Sequence, residues 1–584
     1  MNSINLIFKI VTNKQKNKLF LILFLIIVSM LLETLSIGII IPFLSLSTNQ
    51  SLDPNIEKLV QMAENHIPLD VPTILIVSLL FIFLLKNIYL IFNHRVQSKF
   101  LEIIKLDLSK RLFNKYLEED YSFYLTRNTS ILLRNITTEI GSFVQYVTSA
   151  LVLLAELVVF IGIISLLLFV DFKTTIMVAL LASIFGLLII TTTKRRLSTL
   201  GKESIVVDGK INKYFIQGLS AVKEVKLLQA SKSLFVSASE SLKRSSEINF
   251  HFRFLNGIVK YLFEILIVIL FSSLVIVLIS YEFSYDYIIK TVGIFGIASF
   301  RILPAVSRIS TSLQQIKFRE FNIKNVYNEI KTNNNQKEIE INFQENKEIN
   351  NRLKFEKDIK IDNLSFSYPN RKNPVLNNIS LTIKKNQFIG IVGKSGSGKT
   401  TLINLLIGLL KSKAIYCDNV SILENLSLWQ KNIGYVAQDT FLIDDSIKRN
   451  IAFGQVDSKI DNRKILSSIE KAQLSNFVKT LPNDLETVVG EKGVDISGGQ
   501  KQRLGIARAL YNDPGVLIFD ESTSSLDEAT ERNFLQSINK IKKDKTVIFV
   551  THRKSVLNDC DKIFCLDAGN IIFSGTPAEF KMLN

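Results

Sequence analysis

Cysteine is scarce in this sequence, with three in 584 residues. Cys417, Cys560 and Cys565 all lie in the second half of the chain, and their spacing is not that of metal ligands. This excludes a cysteine-rich metal site and leaves no basis for a disulfide framework. We interpret the three as reduced core or surface residues, which suits a cytosolic second half.

Acidic residues are fewer than basic ones, 53 against 70, so the formal net charge is +17. No basic stripe with interleaved aromatic residues accompanies this charge, and we therefore expect no nucleic-acid partner. Lys and Arg instead concentrate between apolar segments, in 95–134 and 194–253, whereas 47–70 carries only Lys58 as a basic residue. Such asymmetry is the positive-inside bias of membrane proteins.

Long apolar runs fill the chain before about residue 310 and are missing after it. Six segments reach or approach the length of about 20 apolar residues that crosses a bilayer: Leu19–Leu46, Val71–Phe92, Phe143–Val170, Thr174–Thr191, Phe254–Ser280 and Tyr285–Ile309. Six spans place both termini on one side, and the charge bias makes that side the cytoplasm. We also expect 2–18 to form an amphipathic helix at the membrane interface, without a removed signal peptide.

The second half has the pattern of a separate globular domain. Asn-rich sequence at 331–353 predicts a linker between a transmembrane domain over 1–330 and a nucleotide-binding domain over 354–584. From Phe355 onward, short β-rich runs alternate with helical ones. The fold class expected is thus an α-helical membrane domain followed by an α/β domain.

The clearest motif is "VGKSGSGKTTL", residues 392–402, which follows the apolar strand "QFIGIVG" and precedes a helical run. This is the G-x-x-x-x-G-K-[ST] phosphate loop in its proper context. We expect its backbone N–H groups to surround phosphate oxygens, Lys399 to neutralise the β- and γ-phosphates of ATP, and Thr400 to hold Mg²⁺. The nucleotide-binding residues predicted here are Gly393, Lys394, Ser395, Gly396, Ser397, Gly398, Lys399, Thr400 and Thr401.

A second apolar strand, "GVLIFDE", ends in two carboxylates at 520 and 521. Asp520 is the predicted metal ligand. Glu521 is then placed to orient or deprotonate the water that attacks the γ-phosphate. The alternative is a solvated acidic pair that merely follows a strand.

Between these motifs lies "DISGGQKQRLGIARAL", and at this point the chain resembles the ABC transporters. Ser497, Gly498, Gly499 and Gln500 match the signature of that family, with Ile496 where leucine is commoner. The resemblance implies that these four residues bind the nucleotide of a partner subunit. It also implies further roles: adenine stacking for Tyr368, Mg²⁺ and water sensing for Gln438, the dimer interface for Asp527, and a γ-phosphate contact for His552.

One such domain cannot complete an ATP site alone, so the resemblance implies a homodimer of half-transporters, with a heterodimer as the alternative. The resemblance also implies that ATP hydrolysis is coupled to the translocation of a substrate across the membrane. "EEDYSFYLTRNTSILLRN" and "YFIQGLSAVKEVKLL" resemble the coupling regions of exporters. After the phosphate-loop helix, "GLLKSKAIYCDNV" lacks the usual Gly-containing turn, and we expect a shortened hairpin there.

Four basic residues within or near the predicted spans are candidates for contact with a substrate: Lys86, Lys260, Arg301 and Arg308. Cations are costly in lipid unless they face water, a partner or a ligand. Together they would suit a pyrophosphate, if all four faced one cavity. The alternative is that they pair with Glu33, Glu156 or Glu264, or that the arginines reach the headgroups.

Two stretches in the predicted spans point to a particular group within the ABC transporters. "LLETLSIGIIIPFLSL" and "SFRILPAVSRI" resemble bacterial flippases that move undecaprenyl-pyrophosphate-linked oligosaccharides across the inner membrane for protein glycosylation. An amphipathic helix at 53–66 would match the short external helix of those flippases. An exporter of another lipid, a peptide or a drug is the alternative, and a non-transport ATPase with a membrane anchor is a third possibility.

Overall fold

The chain divides into two units that are built from different kinds of secondary structure. The computed structural model describes residues 3–39, 71–170, 172–282, 285–331, 352–369, 371, 373–490, 496–521 and 528–583. The first unit is Met1–Glu119 with Thr126–Glu340, and the second is Ile341–Asn584 with Asp120–Leu125. Most of the predicted linker and the helix predicted at 53–66 lie outside the described residues.

The described part of the first unit is helical. Its helices are α1 (Ser3–Ile10), α2 (Asn13–Gly38), α3 (Val71–Glu118), α4 (Tyr121–Thr126, mostly in the second unit), α5 (Thr129–Arg134), α6 (Ile140–Val170), α7 (Phe172–Ser220), α8 (Val222–Leu227), α9 (Ser231–Ser280) and α10 (Tyr285–Lys331). A single π-helical turn, Asn135–Glu139, joins α5 to α6.

Five helical stretches among the described residues are long and apolar enough to cross a membrane: Asn13–Gly38, Pro72–Glu118, Thr129–Phe169, Ser231–Ser280 and Tyr287–Lys331. Each contains most or all of one predicted span. The remaining predicted span, Thr174–Thr191, falls within α7. The predicted end of the first span lies beyond the described part of α2.

Apolar side chains cover the outside of these helices as well as the inside. Phe81, Ile88 and Ile91 on α3 are 64%, 67% and 71% exposed. Facing inward, Ile163 and Leu167 of α6 pack with residues of α9 and α10 in one buried cluster. Because exposed apolar surface of this extent is unfavourable in water, the outer faces suit a lipid environment.

The N-terminal helix differs from its sequence prediction. Leu6, Ile7 and Ile10 of α1 are buried inside the unit, and α1 packs against α10. Arg111 donates a hydrogen bond from Nη2 to the Ile10 carbonyl oxygen at 3.1 Å. The apolar face that was predicted to lie on the membrane therefore contacts protein.

The second unit is an α/β domain with two main sheets. Its strands are β1 (Asp358–Phe366), β2 (Leu376–Lys384), β3 (Phe388–Val392), β4 (Ile415–Cys417), β5 (Val420–Ser421), β6 (Ile433–Val436), β7 (Asp445–Ser446), β8 (Val488–Val489), β9 (Val516–Asp520), β10 (Thr546–Val550), β11 (Lys562–Asp567) and β12 (Asn570–Gly575). The larger sheet has the order β12-β11-β3-β10-β9-β6, and β11, β3, β10, β9 and β6 are parallel. The smaller is antiparallel, with the order β2-β1-β4-β5.

The helices of the second unit cover the larger sheet or connect its strands. They are α11 (Lys399–Leu406), α12 (Leu426–Gln430), α13 (Ile447–Ile451), α14 (Asn462–Lys471), α15 (Ser475–Lys479), α16 (Gly498–Tyr511), α17 (Glu528–Ile541), α18 (Lys554–Asn558) and α19 (Pro577–Leu583). The strands β3, β9 and β10 have five residues each, and every one of these residues is buried. Fully buried strands require cover on both faces of the sheet, which is the usual arrangement of a parallel sheet.

The short hairpin expected after the phosphate-loop helix is present as β4 and β5. Its two-residue turn is Asp418 and Asn419, both with positive φ, 48° and 65°. Asp418 anchors the turn to β1, because its Oδ1 accepts hydrogen bonds from the backbone N–H of Lys357 at 2.8 Å and of Asp358 at 2.9 Å. Burial opposes ionisation of this carboxyl, but the backbone hydrogen bonds outweigh it and lower its pKa.

Replacing Asp418 by Ala should destabilise the second unit by about 1–3 kcal/mol, because backbone donors lose a charged acceptor. Trp429, the only tryptophan of the chain, is fully buried in this unit and reports its unfolding by fluorescence. Since the folded-state pKa is lowered, the carboxylate stabilises the unit above the unfolded-state pKa of about 3.9 and ceases to do so as the pH falls through the folded value. An Asp418→Ala chain that unfolds at the unmodified temperature at neutral pH would contradict this role.

Candidate functional site

The phosphate loop connects β3 to α11 and needs glycine at two positions for different reasons. Gly393 has φ +151°, and a Cβ atom there would lie 2.2 Å from the Leu566 carbonyl oxygen. Gly398 has φ +102°, and a Cβ atom would lie 2.6 Å from Leu376 Cδ2. A side chain at either position would therefore meet both backbone strain and a steric clash.

Lys399 begins α11 and is 7% exposed, so its charge is held inside the loop. Its ammonium group donates hydrogen bonds to the carbonyl oxygens of Gly393 at 2.6 Å and Lys394 at 3.1 Å. An ammonium has three N–H donors, so one is left for a ligand. The Ser397 hydroxyl oxygen is buried and forms no hydrogen bond with a described residue, which also fits a loop shaped for phosphate oxygens.

Asp520 is the last residue of β9 and is 5% exposed. Burial raises the pKa of its carboxyl, the hydrogen bond from the Tyr435 hydroxyl to Oδ2 at 3.3 Å lowers it, the nearby Glu521 raises it, and Lys399 lowers it. The net direction is upward. The electrostatic interaction with Lys399 places this carboxylate close to the phosphate loop, as the sequence predicts.

Glu521 has φ +47°, a left-handed conformation that a residue with a side chain rarely adopts. Its Oε2 accepts a hydrogen bond from Gln438 Nε2 at 2.9 Å. Its Oε1 lies 3.8 Å from His552 Nε2. Gln438 follows β6, Glu521 follows β9 and His552 follows β10, so three neighbouring parallel strands deliver this cluster.

This cluster has the groups needed to activate a water for attack on a phosphoryl group. A carboxylate can accept the proton of the water or orient it, and an amide beside the carboxylate can hold the water in line. The histidine supplies a polar contact on the other side of the carboxylate. The alternative of a merely solvated acidic pair does not account for a buried Asp520 and a Glu521 that contacts two further polar side chains.

The signature residues begin α16. Ser497 and Gln500 form a reciprocal cap: the Ser497 hydroxyl accepts from the Gln500 backbone N–H at 3.3 Å, and Gln500 Oε1 accepts from the Ser497 backbone N–H at 2.8 Å. Ser497 and Gly498 are exposed. The structure thus presents this helix start on the surface of the domain.

Tyr368 and Asp527 are the two remaining residues to which the family resemblance assigned roles. Tyr368 is half-buried, donates or accepts a hydrogen bond with the Thr401 hydroxyl at 3.2 Å, and lies edge-on to Phe366. It is therefore beside the phosphate-loop helix, but stacking on adenine stays a prediction. Asp527 lies outside the described residues.

Sequence analysis missed Tyr435, whose hydroxyl contacts the predicted metal ligand Asp520. The tyrosine lies on β6, which neighbours β9 although about 80 residues separate them. No local pattern in the sequence indicates that these two strands pair.

Comparison with known proteins agrees with this geometry. Residues 376–524 match the family model described as ABC transporter. An "ATP-dependent lipid A-core flippase" of Pseudoalteromonas translucida is 41% identical over 221 residues, which are 37% of this chain and 38% of that protein. The match with this chain thus covers well under half of that relative's length. The protein of the same name from Shewanella denitrificans is 28% identical over 494 residues, which are 81% of this chain and 78% of that protein.

A solved structure has a similar fold over nearly the whole chain. A bacterial Atm1-family ABC exporter, solved with ATP bound, has a TM-score of 0.79 and 19% sequence identity, and the match covers 98% of this chain and 97% of that one. The second unit is an ABC transporter ATPase domain, on a chain with the exporter fold. The groups that this site brings together are those that hydrolysis of a nucleoside triphosphate requires.

The residues present in the ABC domain fit a Mg²⁺ ion bound together with the phosphates of ATP. Asp520, Thr400 and Gln438 offer oxygen ligands, which Mg²⁺ prefers, and Asp520 is buried at the end of β9. No group of three His, Cys, Asp or Glu residues in the described ranges could hold a metal alone. The ion would help to neutralise the phosphate charge.

In the membrane unit, the structure does not gather the four predicted cations around one cavity. Arg301 forms an ion pair with Glu33, with Nε 2.8 Å from Oε2. Arg308 pairs with Glu156, with Nε 2.6 Å from Oε1. Lys86 interacts electrostatically with both Glu33 and Arg301. For the two arginines, pairing with a carboxylate is the arrangement observed, because an unpaired charge between apolar helices is unfavourable.

Lys260 is the exception among the four. It is exposed and lines a cavity of about 610 Å³, whose lining contains none of the other three. The suggestion that all four bind a pyrophosphate in succession is therefore not supported by their placement.

Replacing Glu521 by Gln should leave ATP binding intact and slow hydrolysis by about 10²- to 10⁴-fold, the usual contribution of a positioned general base. The amide keeps the shape of the side chain but cannot accept the proton. Steady-state ATPase rates and nucleotide binding of the purified chain measure the two effects separately. Glu424→Gln, the same change at an exposed position of the ABC domain, is the control. Equal hydrolysis by the Glu521→Gln and unmodified chains would remove the assigned role.

Replacing Tyr435 by Phe should shift the acid limb of the pH–rate profile to higher pH. The hydroxyl stabilises ionised Asp520, so its loss raises the Asp520 pKa further, and the ionised form needed for Mg²⁺ is lost at a higher pH. The pH dependence of kcat/KM for Mg-ATP measures the shift. Tyr416→Phe, on β4, is the matched control. An unchanged or lowered acid limb in Tyr435→Phe would show that this hydrogen bond does not set the charge of Asp520.

Proposed function

We propose that two copies of this chain form an ATP-driven exporter that flips a lipid across the bacterial inner membrane. The observation that carries the proposal is the cluster of Glu521, Gln438 and His552 beside the phosphate loop, on a chain with the exporter fold. The relatives named lipid A-core flippases support a lipid as cargo. A homodimer is proposed because every part of one composite ATP site is present in the chain.

In such a dimer, each nucleotide lies between the phosphate loop of one subunit and the signature of the other. The exposed start of α16 suits this role, because a helix N-terminus with free N–H groups attracts phosphate. ATP binding would then close the two ABC domains, and hydrolysis would release them. Differential affinity for ATP in the two states supplies the work of transport.

Transmission of this motion is proposed to use the short helix α4. Residues Asp120–Leu125 group with the second unit, although they are far from it in sequence. Within that unit, Lys411 Nζ lies 2.7 Å from an Asp120 carboxylate oxygen. This placement supports the sequence prediction that "EEDYSFYLTRNTSILLRN" is a coupling region.

The identity of the lipid is proposed at two levels. The coarser level is a lipid of any kind, which the relatives named lipid A-core flippases support. The finer level is the undecaprenyl-pyrophosphate-linked oligosaccharide that the first- and last-span sequences suggest, with a role in protein glycosylation. The lipid A-core substrate of the relatives is the competing candidate at this finer level.

Reconstituted proteoliposomes distinguish these substrates. The purified chain should transfer a fluorescent polyprenyl-pyrophosphate oligosaccharide between leaflets in the presence of ATP and Mg²⁺, and should do so faster than it transfers phosphatidylcholine. A lipid A-core probe in a parallel sample tests the competing substrate. Transfer of the second probe alone would overturn the finer proposal, and failure of every lipid probe would overturn the coarser one.

Mixed dimers test the shared ATP sites. Lys399→Ala removes the phosphate-loop cation, and Ser497→Arg blocks the signature, so each homodimer should be inactive. In a dimer with one chain of each kind, both defects fall in the same composite site and the other site is intact. Purified mixed dimers carrying two different tags should therefore recover part of the ATPase activity, whereas complete inactivity of verified mixed dimers would contradict trans composition.

A further inference from the structure

We propose that a buried ion pair between Glu531 and Arg553 positions His552 against Glu521 for ATP hydrolysis. Both members of the pair are positioning residues, which act on the reaction through His552. The sequence analysis assigned no role to either of them. Because it concerns the ATP hydrolysis that would drive transport, this role rests on the proposed function and deepens it, but it does not depend on which lipid is moved.

His552 lies in a short turn whose first residue is fixed by the larger sheet. The Thr551 backbone N–H donates a hydrogen bond to the Ile391 carbonyl oxygen of β3 at 3.2 Å, and Thr551 is buried. Its hydroxyl oxygen accepts a hydrogen bond from the Arg553 backbone N–H at 3.1 Å, which closes the turn. The His552 side chain itself is 56% exposed. Packing therefore contributes little to its orientation, which depends on the backbone of the turn.

Arg553 anchors the other side of this turn. Its Nη1 donates a hydrogen bond to Glu531 Oε2, and the Ser555 hydroxyl donates to Glu531 Oε1 at 3.1 Å. Glu531 is 5% exposed, so its carboxylate is withdrawn from water and relies on these contacts. A buried charge is unfavourable unless it is paired and hydrogen-bonded. The ion pair thus specifies where the Arg553 side chain lies, and with it the end of the turn.

The carboxylate of the ion pair belongs to the segment that follows Glu521. Glu531 lies on α17, which is the first described element after β9. This helix packs onto β9, since the rings of Phe534 and Phe519 lie edge to face with their centroids 5.6 Å apart. The Glu521 backbone N–H in turn donates to the Val550 carbonyl oxygen of β10 at 2.9 Å. The ends of β9 and β10 are therefore joined twice, directly and through α17 with the ion pair.

The alternative is that the ion pair only stabilises the fold. Its place beside His552 favours a role in the reaction, because a shift of the Arg553 backbone would carry the imidazole with it. His552 Nε2 lies 3.8 Å from Glu521 Oε1. A misplacement of about 1 Å can slow an enzymatic step by about 10²-fold. The ion pair thus acts on the catalytic cluster through the turn at His552.

Replacing both members of the pair, Glu531→Gln with Arg553→Met, tests this role. The two are replaced together because removing one partner alone leaves the other charge buried and unpaired, which destabilises the fold. We expect kcat for ATP hydrolysis by the purified full-length chain to fall about 10- to 100-fold. The KM for Mg-ATP should change by less than about twofold, since the phosphate loop is untouched. An unchanged kcat in this paired variant would overturn the role.

The matched control removes an ion pair at the opposite end of β10. Lys545 Nζ lies 2.6 Å from Asp513 Oδ1, and the Lys545 side chain is 12% exposed. Lys545→Met with Asp513→Asn should leave kcat unchanged, because the catalytic cluster lies at the other end of the strand. Trp429 fluorescence reports the unfolding temperature of both paired variants. An equal fall of kcat in the control would show that lost stability slows hydrolysis, and would overturn the role.

A double-mutant cycle with His552→Ala separates positioning from a general structural effect. The paired replacement should lower the single-turnover rate about tenfold or more when His552 is present, and by less than about twofold when it is replaced by Ala. Radiolabelled ATP keeps the slow rates of the variants measurable. Equal fold-changes in the two backgrounds would mean that the ion pair does not act through His552, and would overturn the proposal.

These outcomes are distinct from those of the lipid-transfer assay. The expected cycle in a protein that transfers no lipid would uphold the role of the ion pair and reject the proposed function. Unchanged hydrolysis by the Glu531→Gln, Arg553→Met variant of a protein that does transfer lipid would reject the role and leave the proposed function standing. An unmodified chain that hydrolyses no ATP would overturn both.

Discussion

Parallel pairing of four strands is the constraint on which the rest of the catalytic unit depends. The carboxyl ends of β3, β10, β9 and β6 meet at one edge of the larger sheet, and each end carries a different part of the chemistry. The phosphate loop follows β3, and His552 follows β10. Asp520 ends β9 with Glu521 directly after it, and Gln438 follows β6. Glu521 adopts its strained conformation at this edge, where its side chain meets those of Gln438 and His552.

Charge in an apolar environment is the corresponding constraint in the membrane unit. Glu33 and Glu156 stand opposite arginines of α10, and these pairs make the charges tolerable between helices. Lys260 forms no ion pair with a carboxylate among the described residues, and it lines a cavity instead of facing the apolar packing. The basic residues of the spans are therefore of two kinds. Arg301 and Arg308 pair with carboxylates and have a structural role, whereas the exposed Lys260 is a candidate for contact with a ligand.

Motifs that depend only on residues close together in the sequence could be predicted from it, whereas contacts between segments far apart in the sequence could not. The phosphate loop and the two carboxylates at the end of β9 follow from consecutive residues, since each depends on nearby backbone geometry. The short hairpin followed from the family resemblance, because the usual Gly-containing turn is missing there. The exporter fold followed from the resemblance and is confirmed by the structural match. By contrast, the contact of Tyr435 with Asp520 and the pairing of Arg301 with Glu33 depend on which strands and helices become neighbours. The location of α1 was predicted wrongly for the same reason. Its apolar face could pack equally well on a membrane surface or against other helices, and the sequence does not show which.

The proposed function requires that ATP hydrolysis at the edge of the larger sheet drives lipid movement through the helical unit. The most direct test measures ATP hydrolysed and lipid transferred in the same proteoliposomes while the fraction of Glu521→Gln chains in the dimers is raised. We expect both rates to fall together, and transfer to stop when hydrolysis stops. Lipid transfer that continues at the unmodified rate after hydrolysis is lost would contradict it.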